Sequence, residues 1–179
     1  MNGNSHSPVH ERVVPVTRIG IVHSPNHTCG APPIQSAFSP ACGEIEIYPE
    51  YRPGLKDVDG FSRLIVLYYF DRAQGPMLHE RPLMDGSEVH GIFSTRHFNR
   101  PSPIGLSFVT LKEVTETSLI VGNVDMLDGT PVLDIKPYIP AFDSFPDERT
   151  GWVRPQHIDA LRAGSARAGT VPPGTPEDR

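Results

Sequence analysis

Arg96 and Arg100 flank His97 and Asn99 in the run GIFSTRHFNRPSPIGL, Gly91–Leu106, and Pro101 and Pro103 stiffen the chain immediately after them. A guanidinium on such a loop can hold a carboxylate or phosphate bidentately at low entropic cost. The same spacing also fits a pair of surface arginines beside a turn. A second polar run, DMLDGTPVLDIKPYIPAFDS at Asp125–Ser144, opens with the turn Asp128-Gly129-Thr130-Pro131 and leads to Asp134, Lys136 and Tyr138. These last three alternate, so an extended strand would turn them to one side. An acid, a lysine and a phenol on one face are either an ion-paired support or a reaction site. A third run, SPNHTCGAPPIQ at Ser24–Gln35, has the same mixture of glycine, proline and polar residues.

Other chemistries have weaker support. His23, His27, Cys29 and Cys42 read H-x3-H-x-C-x12-C, which can be drawn as a zinc site but matches no usual ligand spacing. No metal is expected. Asp125 and Asp128 could be a carboxylate pair for glycoside hydrolysis, but a tight turn accounts for them better. The chain has no P-loop, no G-x-G-x-x-G and no nucleophile elbow.

The elements that must carry these runs are strands. Proline makes up 20 of 179 residues, about twice the usual share, and spread this way it argues against a helical bundle. Candidate strands rich in Val, Ile, Tyr and Phe cover Val16–His23, Glu44–Tyr48, Arg63–Phe70, Glu88–Ser94, Leu106–Lys112, Ser118–Asp125 and Val132–Ile135. RLIVLYYF, Arg63–Phe70, is apolar on both alternating faces and predicts a central strand covered on both sides. The expected fold is all-β: a small barrel of about seven strands with proline-rich loops and a short C-terminal helix. Residues 1–15 read as a flexible arm, 16–153 as the barrel domain, and 154–179 as a short helix from Pro155 followed by a disordered tail.

No apolar run approaches the roughly 20 residues of a membrane span, and the N-terminal residues have no apolar signal core. Two cysteines, Cys29 and Cys42, cannot make a disulfide framework. The expected location is cytoplasmic. With 16 basic and 21 acidic residues the net charge is −5, which excludes a strongly basic nucleic-acid binder but leaves room for a local basic site.

Together the three runs resemble the tRNA methyltransferase O family. RIGIVHSP (Arg18–Pro25) and GAPPIQ (Gly30–Gln35) match its opening strand and loop. GIFSTRHFNRPSPIGLS (Gly91–Ser107) and DMLDGTPVLDIKPYIP (Asp125–Pro140) match its two long signatures, in the family's order. The resemblance implies a β-barrel methyltransferase that uses S-adenosylmethionine and is dimeric. Its implied acceptor is the exocyclic nitrogen of threonylcarbamoyladenosine, next to the anticodon of tRNA. Carried over by motif, cofactor contacts are expected from Pro33, Ile34 and Gln35, from Asp71 and Arg72, and from Arg96, Leu106, Asp128, Gly129, Thr130 and Pro131. Arg100 and His97 are expected on the substrate side. Asp134, Lys136 and Tyr138 are the candidates for steering or removing the acceptor's proton.

The chain departs from the family pattern at Ile34, where an arginine is common, and at Asp71-Arg72, where histidine followed by glutamine or lysine is common. Ser102 replaces asparagine in the RPNP step, and a short helix and tail stand where bacterial members commonly add a C-terminal domain. These differences bear on the acceptor more than on the cofactor. Two further readings therefore stay open: a barrel acting on another small-molecule or nucleotide acceptor, and a non-catalytic cofactor- or zinc-binding module.

Overall fold

The computed structural model describes residues 13–27, 35–82 and 88–168. Pro33, Ile34 and Cys29 lie outside the described residues, as do nearly all of the expected N-terminal arm and the end of the expected tail.

Six strands close into an antiparallel barrel. In chain order they are β1 (Gly20–His23), β2 (Cys42–Ile47), β3 (Arg63–Tyr69), β6 (Ile104–Val114), β7 (Ser118–Gly122) and β8 (Pro131–Pro137). Between β3 and β6 lies a short separate ribbon of β4 (His79–Glu80) and β5 (His90–Gly91). Around the barrel the order is β1-β2-β7-β6-β3-β8, and β8 closes the ring by pairing with both β1 and β3. The all-β barrel expected from the sequence is present, with six barrel strands rather than about seven. Glu88–Ser94 is the segment that differs. Only His90 and Gly91 pair there, and Ile92–Ser94 turns as a 3-10 helix that buries Ile92.

Alternation along the strands fills the interior. Val22, Ile45, Leu64, Val66, Val109, Leu119, Val121 and Val132 are each at most 1% exposed and form one apolar cluster. In β3, Leu64, Val66 and Tyr68 point inward, while Ile65 and Leu67 are half-buried and Tyr69 is exposed. The outward apolar residues of RLIVLYYF are therefore covered only in part, because a closed barrel has a single fully buried face. Register slips once between β3 and β8. Leu67 pairs with Asp134 and Tyr68 with Val132, which leaves Leu133 as the extra residue of a bulge.

Because all barrel pairs are antiparallel, three long connections emerge at one rim: 24–41 after β1, 70–103 after β3 and 123–130 after β7. Helix α1 (Pro140–Asp143) comes after the far end of β8. Helix α2 (Pro155–Ala168) returns to the loop rim. It buries Leu161 and sets the Arg162 guanidinium 5.4 Å from the ring centre of Phe38. Trp152, just before it, donates from Nε1 to the Ser94 carbonyl at 2.9 Å and stacks on His90.

Gly105 sits in β6 directly opposite Tyr68, and a Cβ there would come within 2.2 Å of the Tyr68 ring. Glycine is required by this close approach. Gly105→Ala should therefore displace Tyr68 and destabilise the fold by about 2–3 kcal/mol. Urea unfolding checks this; an unchanged midpoint would mean the ring has room to move.

Candidate active site

The rim connections form the walls of a cavity of about 280 Å³. Its lining includes Gln35 from the first connection, Phe70, Thr95, Arg96 and Arg100 from the second, and Asp125 from the third. Tyr68, Ile104 and Leu106 contribute from the strands. Arg96 donates from Nη1 to Gln35 Oε1 at 2.9 Å, which ties the first two connections together. The lining thus combines polar and cationic groups with the apolar Phe70, Ile104 and Leu106.

The loop that presents Arg96 is locked by its own polar groups. Arg100 donates from Nη1 to the carbonyls of Thr95 at 3.0 Å and His97 at 3.4 Å. Asn99 accepts the Gln74 N–H through Oδ1 and donates its own N–H to His97 Nδ1. With Nδ1 accepting, the network assigns the His97 proton to Nε2, which lies 3.2 Å from the buried carboxylate of Glu80. His97 and Arg100 are therefore engaged in holding the loop, although Arg100 still lines the cavity.

A second cluster lies at the same rim, where the first and third connections meet. Arg72 donates from Nη2 to the Asp128 carbonyl at 2.8 Å, and the Asp128 carboxylate accepts the Ser24 N–H at 3.0 Å. Gly129, at φ +82°, takes the left-handed turn that favours glycine, and donates its N–H to the Val22 carbonyl. Thr130 and Pro131 are buried where β8 begins; the Thr130 carbonyl accepts the Val22 N–H. Asp71 lines a neighbouring cavity of about 230 Å³ that shares Phe70 and Arg100 with the first.

The structure thus brings Gln35, Arg96 and Leu106 together around one cavity, and gathers Arg72, Asp128 and Gly129 in a separate cluster at the same rim. Asp134, Lys136 and Tyr138 stand elsewhere. Asp134 and Lys136 form an ion pair on the outer face of β8, and Tyr138 packs edge-on against Phe108. None of the three lines either cavity. Among the described residues, no group of three or more His, Cys, Asp or Glu is placed to hold a metal ion. His23 pairs with Glu46, and the Lys112 ammonium donates to Cys42 Sγ.

The sequence set Asp125 aside as part of a turn and did not point to Ser107 and Tyr68, the buried polar groups next to it. Ser107 Oγ lies 2.6 Å from Asp125 Oδ1 and 3.2 Å from the Tyr68 hydroxyl. Burial raises the Asp125 carboxyl from 3.8 to about 6, opposed by the Ser107 hydrogen bond, by backbone N–H groups including that of Ser36, and by the charge of Arg96. Burial, reinforced by Asp125, also pushes the Tyr68 hydroxyl well above its ordinary range, so it stays protonated. The one available signal was Gly105, a strand glycine that marks the approach of Tyr68.

The sequence model of the tRNA-methyltransferase O N-terminal domain matches residues 21–144. This chain belongs to the tRNA-methyltransferase O family. A probable S-adenosyl-L-methionine-binding protein of Pyrococcus abyssi is 47% identical over 136 residues, covering 75% of this chain and 73% of its own. The tRNA (adenine(37)-N6)-methyltransferase of Escherichia coli is 34% identical over 148 residues, covering 76% of this chain and 63% of its own. The crystal structure of TrmO from Pseudomonas aeruginosa superposes with a TM-score of 0.68 at 32% identity, covering 80% of this chain and 64% of that one. The chain therefore spans less than two thirds of these two bacterial members of the family.

The raised Asp125 carboxyl carries a sign that can be checked. Well below pH 3.8 it is protonated in both folded and unfolded chains and adds no pH dependence. As pH rises from 3.8 through about 6, the unfolded chain loses its proton first, and stability falls by up to about 3 kcal/mol. Asp125→Asn keeps an acceptor for Ser107 and should be more stable than the parent at pH 8, with the difference shrinking towards zero at pH 4. Urea melts at the two pH values measure it; an equal offset at both would contradict the assignment.

Proposed function

We propose that this protein is a cytoplasmic, homodimeric methyltransferase that takes its methyl group from S-adenosylmethionine and acts on tRNA. Its proposed acceptor is the exocyclic nitrogen of threonylcarbamoyladenosine beside the anticodon. The observation that carries this reading is the joining of Gln35, Arg96 and Leu106 around one cavity at the loop rim. The names of the archaeal and bacterial relatives support the cofactor and the reaction.

The donor set suits such a cofactor. Arg96 offers a guanidinium to the methionyl carboxylate, Gln35 offers amide donors and acceptors, and Phe70, Ile104 and Leu106 offer an apolar wall to the nucleoside. When bound, S-adenosylmethionine supplies a methyl group already activated on a sulfonium. The tasks left to the chain are to bind, orient and exclude water. Asp71, Arg72, Asp128, Gly129, Thr130 and Pro131, with Pro33 and Ile34, are assigned to the same cofactor through the family motifs. Arg100 and His97 fix the loop next to the acceptor. Asp134, Lys136 and Tyr138, which line neither cavity, are proposed to contact the tRNA rather than to reach the acceptor nitrogen.

The net charge of −5 favours one other reading, an acceptor smaller than tRNA, because tRNA affinity rests largely on phosphate neutralisation. A barrel that only binds the cofactor would show affinity without turnover.

Calorimetric titration with S-adenosylmethionine should give micromolar binding that weakens at least 10-fold in Arg96→Ala, as loss of a charge-assisted contact implies. Methylation of tRNA should be detectable, and Asp134→Asn, Lys136→Met and Tyr138→Phe should lower turnover with cofactor affinity nearly intact. Loss of cofactor affinity in those three would move them into the cofactor site. Transfer to small nucleotides but not to tRNA would favour the smaller acceptor.

A further inference from the structure

We infer that Asp125 is the group that takes the proton from the acceptor nitrogen as the methyl group arrives. The inference rests on the methyltransferase reading above and adds to it a residue that the family motifs did not assign. Among the described residues, Asp125 is the one acidic side chain lining the cavity that contains Gln35 and Arg96. Asp134, Lys136 and Tyr138 line neither cavity, and Asp134 and Lys136 are already paired to each other.

The carboxyl is held from behind. Ser107 has one hydroxyl proton, and at 2.6 Å the carboxylate is its better acceptor, so the Tyr68 hydroxyl must donate to Ser107 Oγ. The donors run in one direction, from Tyr68 through Ser107 to Asp125 Oδ1. Ser107 is 1% exposed and Tyr68 6%, so both hydroxyls are largely shielded from water. Tyr68 cannot be the proton sink, since it keeps its own proton, and its place depends on the missing side chain at Gly105. The chain of hydroxyls therefore orients the carboxyl and leaves its remaining basicity to the cavity.

The step balances. The nitrogen lone pair forms the new N–C bond, the S–C bond breaks with its electron pair going to sulfur, and the N–H proton passes to the Asp125 carboxylate. A nitrogen beside a carbonyl is a weak nucleophile, so loss of its proton assists the transfer. The charged and titratable groups facing Asp125 are Tyr68 of β3 and Arg96 of the second connection, with the Ser36 N–H from the first. Desolvation outweighs Arg96 and leaves the carboxyl near 6, ionised at neutral pH yet more basic than an exposed aspartate.

The test has two arms. In the first, carboxyl-carbon NMR follows Asp125 with pH, with and without S-adenosylhomocysteine, and calorimetry compares the affinity of that ligand for the parent and Asp125→Asn. A midpoint near 6 that persists in the complex, with affinities within about threefold, is expected. An Asp125 that titrates as an ordinary carboxylate in the complex, or a tenfold loss of affinity, would make it a cofactor ligand and overturn the proposal. In the second arm, turnover on tRNA carrying threonylcarbamoyladenosine should rise with pH through about 6 in the parent. Asp125→Asn should lower it at least 100-fold and abolish that rise. An Asn variant within threefold of the parent would overturn the proposal. A parent that binds S-adenosylhomocysteine but methylates no tRNA would overturn the tRNA reading, and the first arm would still decide Asp125.

Discussion

Everything at the loop rim depends on β8 pairing with two strands at once. By bonding to β1 through Gly20–Val132 and to β3 from Leu64 to Tyr68, it closes a ring of antiparallel strands with no free edge. Closure sets the direction of every strand, and with it the rim at which each connection emerges. Gln35, Arg96 and Asp125 are far apart in sequence, yet they have no other place to meet. The bulge at Leu133 is part of the same arrangement, because it lets Val132 face the interior while Asp134 faces out.

Within the rim, polar groups are divided between holding and exposing. Arg100, Asn99 and His97 spend their hydrogen bonds on the loop carbonyls and amides around them, and Glu80 is buried to receive His97. Arg72 and Asp128 do the same for the turn that starts β8. That leaves Arg96, bridged only to Gln35 among the hydrogen bonds described, facing the cavity. Asp125 is the costly member: folding takes its carboxyl largely out of water, and a single hydroxyl and backbone N–H groups do not fully compensate. A carboxyl kept at a cost to stability is what a proton-handling role would require.

The fold class was legible because barrel strands alternate, and segments such as Arg63–Phe70 and Ser118–Gly122 carry the β-branched and aromatic residues that pleated surfaces favour. Glu88–Ser94 misled for a physical reason: a buried Ile92 in a 3-10 turn looks the same in sequence as a buried strand residue. Gln35, Arg96 and Leu106 were legible through long motifs. Asp125 was not, since three residues before Asp128 it reads as part of the turn. Its character comes from burial by the surrounding elements, against which Ser107 of β6 and the Ser36 N–H work, and no local pattern contains that. For Asp134 and Lys136 the alternation was right in placing both on one side of β8, but it could not say that this side faces away from the cavity.

The position of the bound cofactor is the most direct test. A crystal structure with S-adenosylhomocysteine is predicted to show the ligand between Arg96, Gln35 and Leu106, its carboxylate on the Arg96 guanidinium. A ligand seated on the outer face of β8 beside Asp134 and Lys136, with the rim cavity empty, would contradict it.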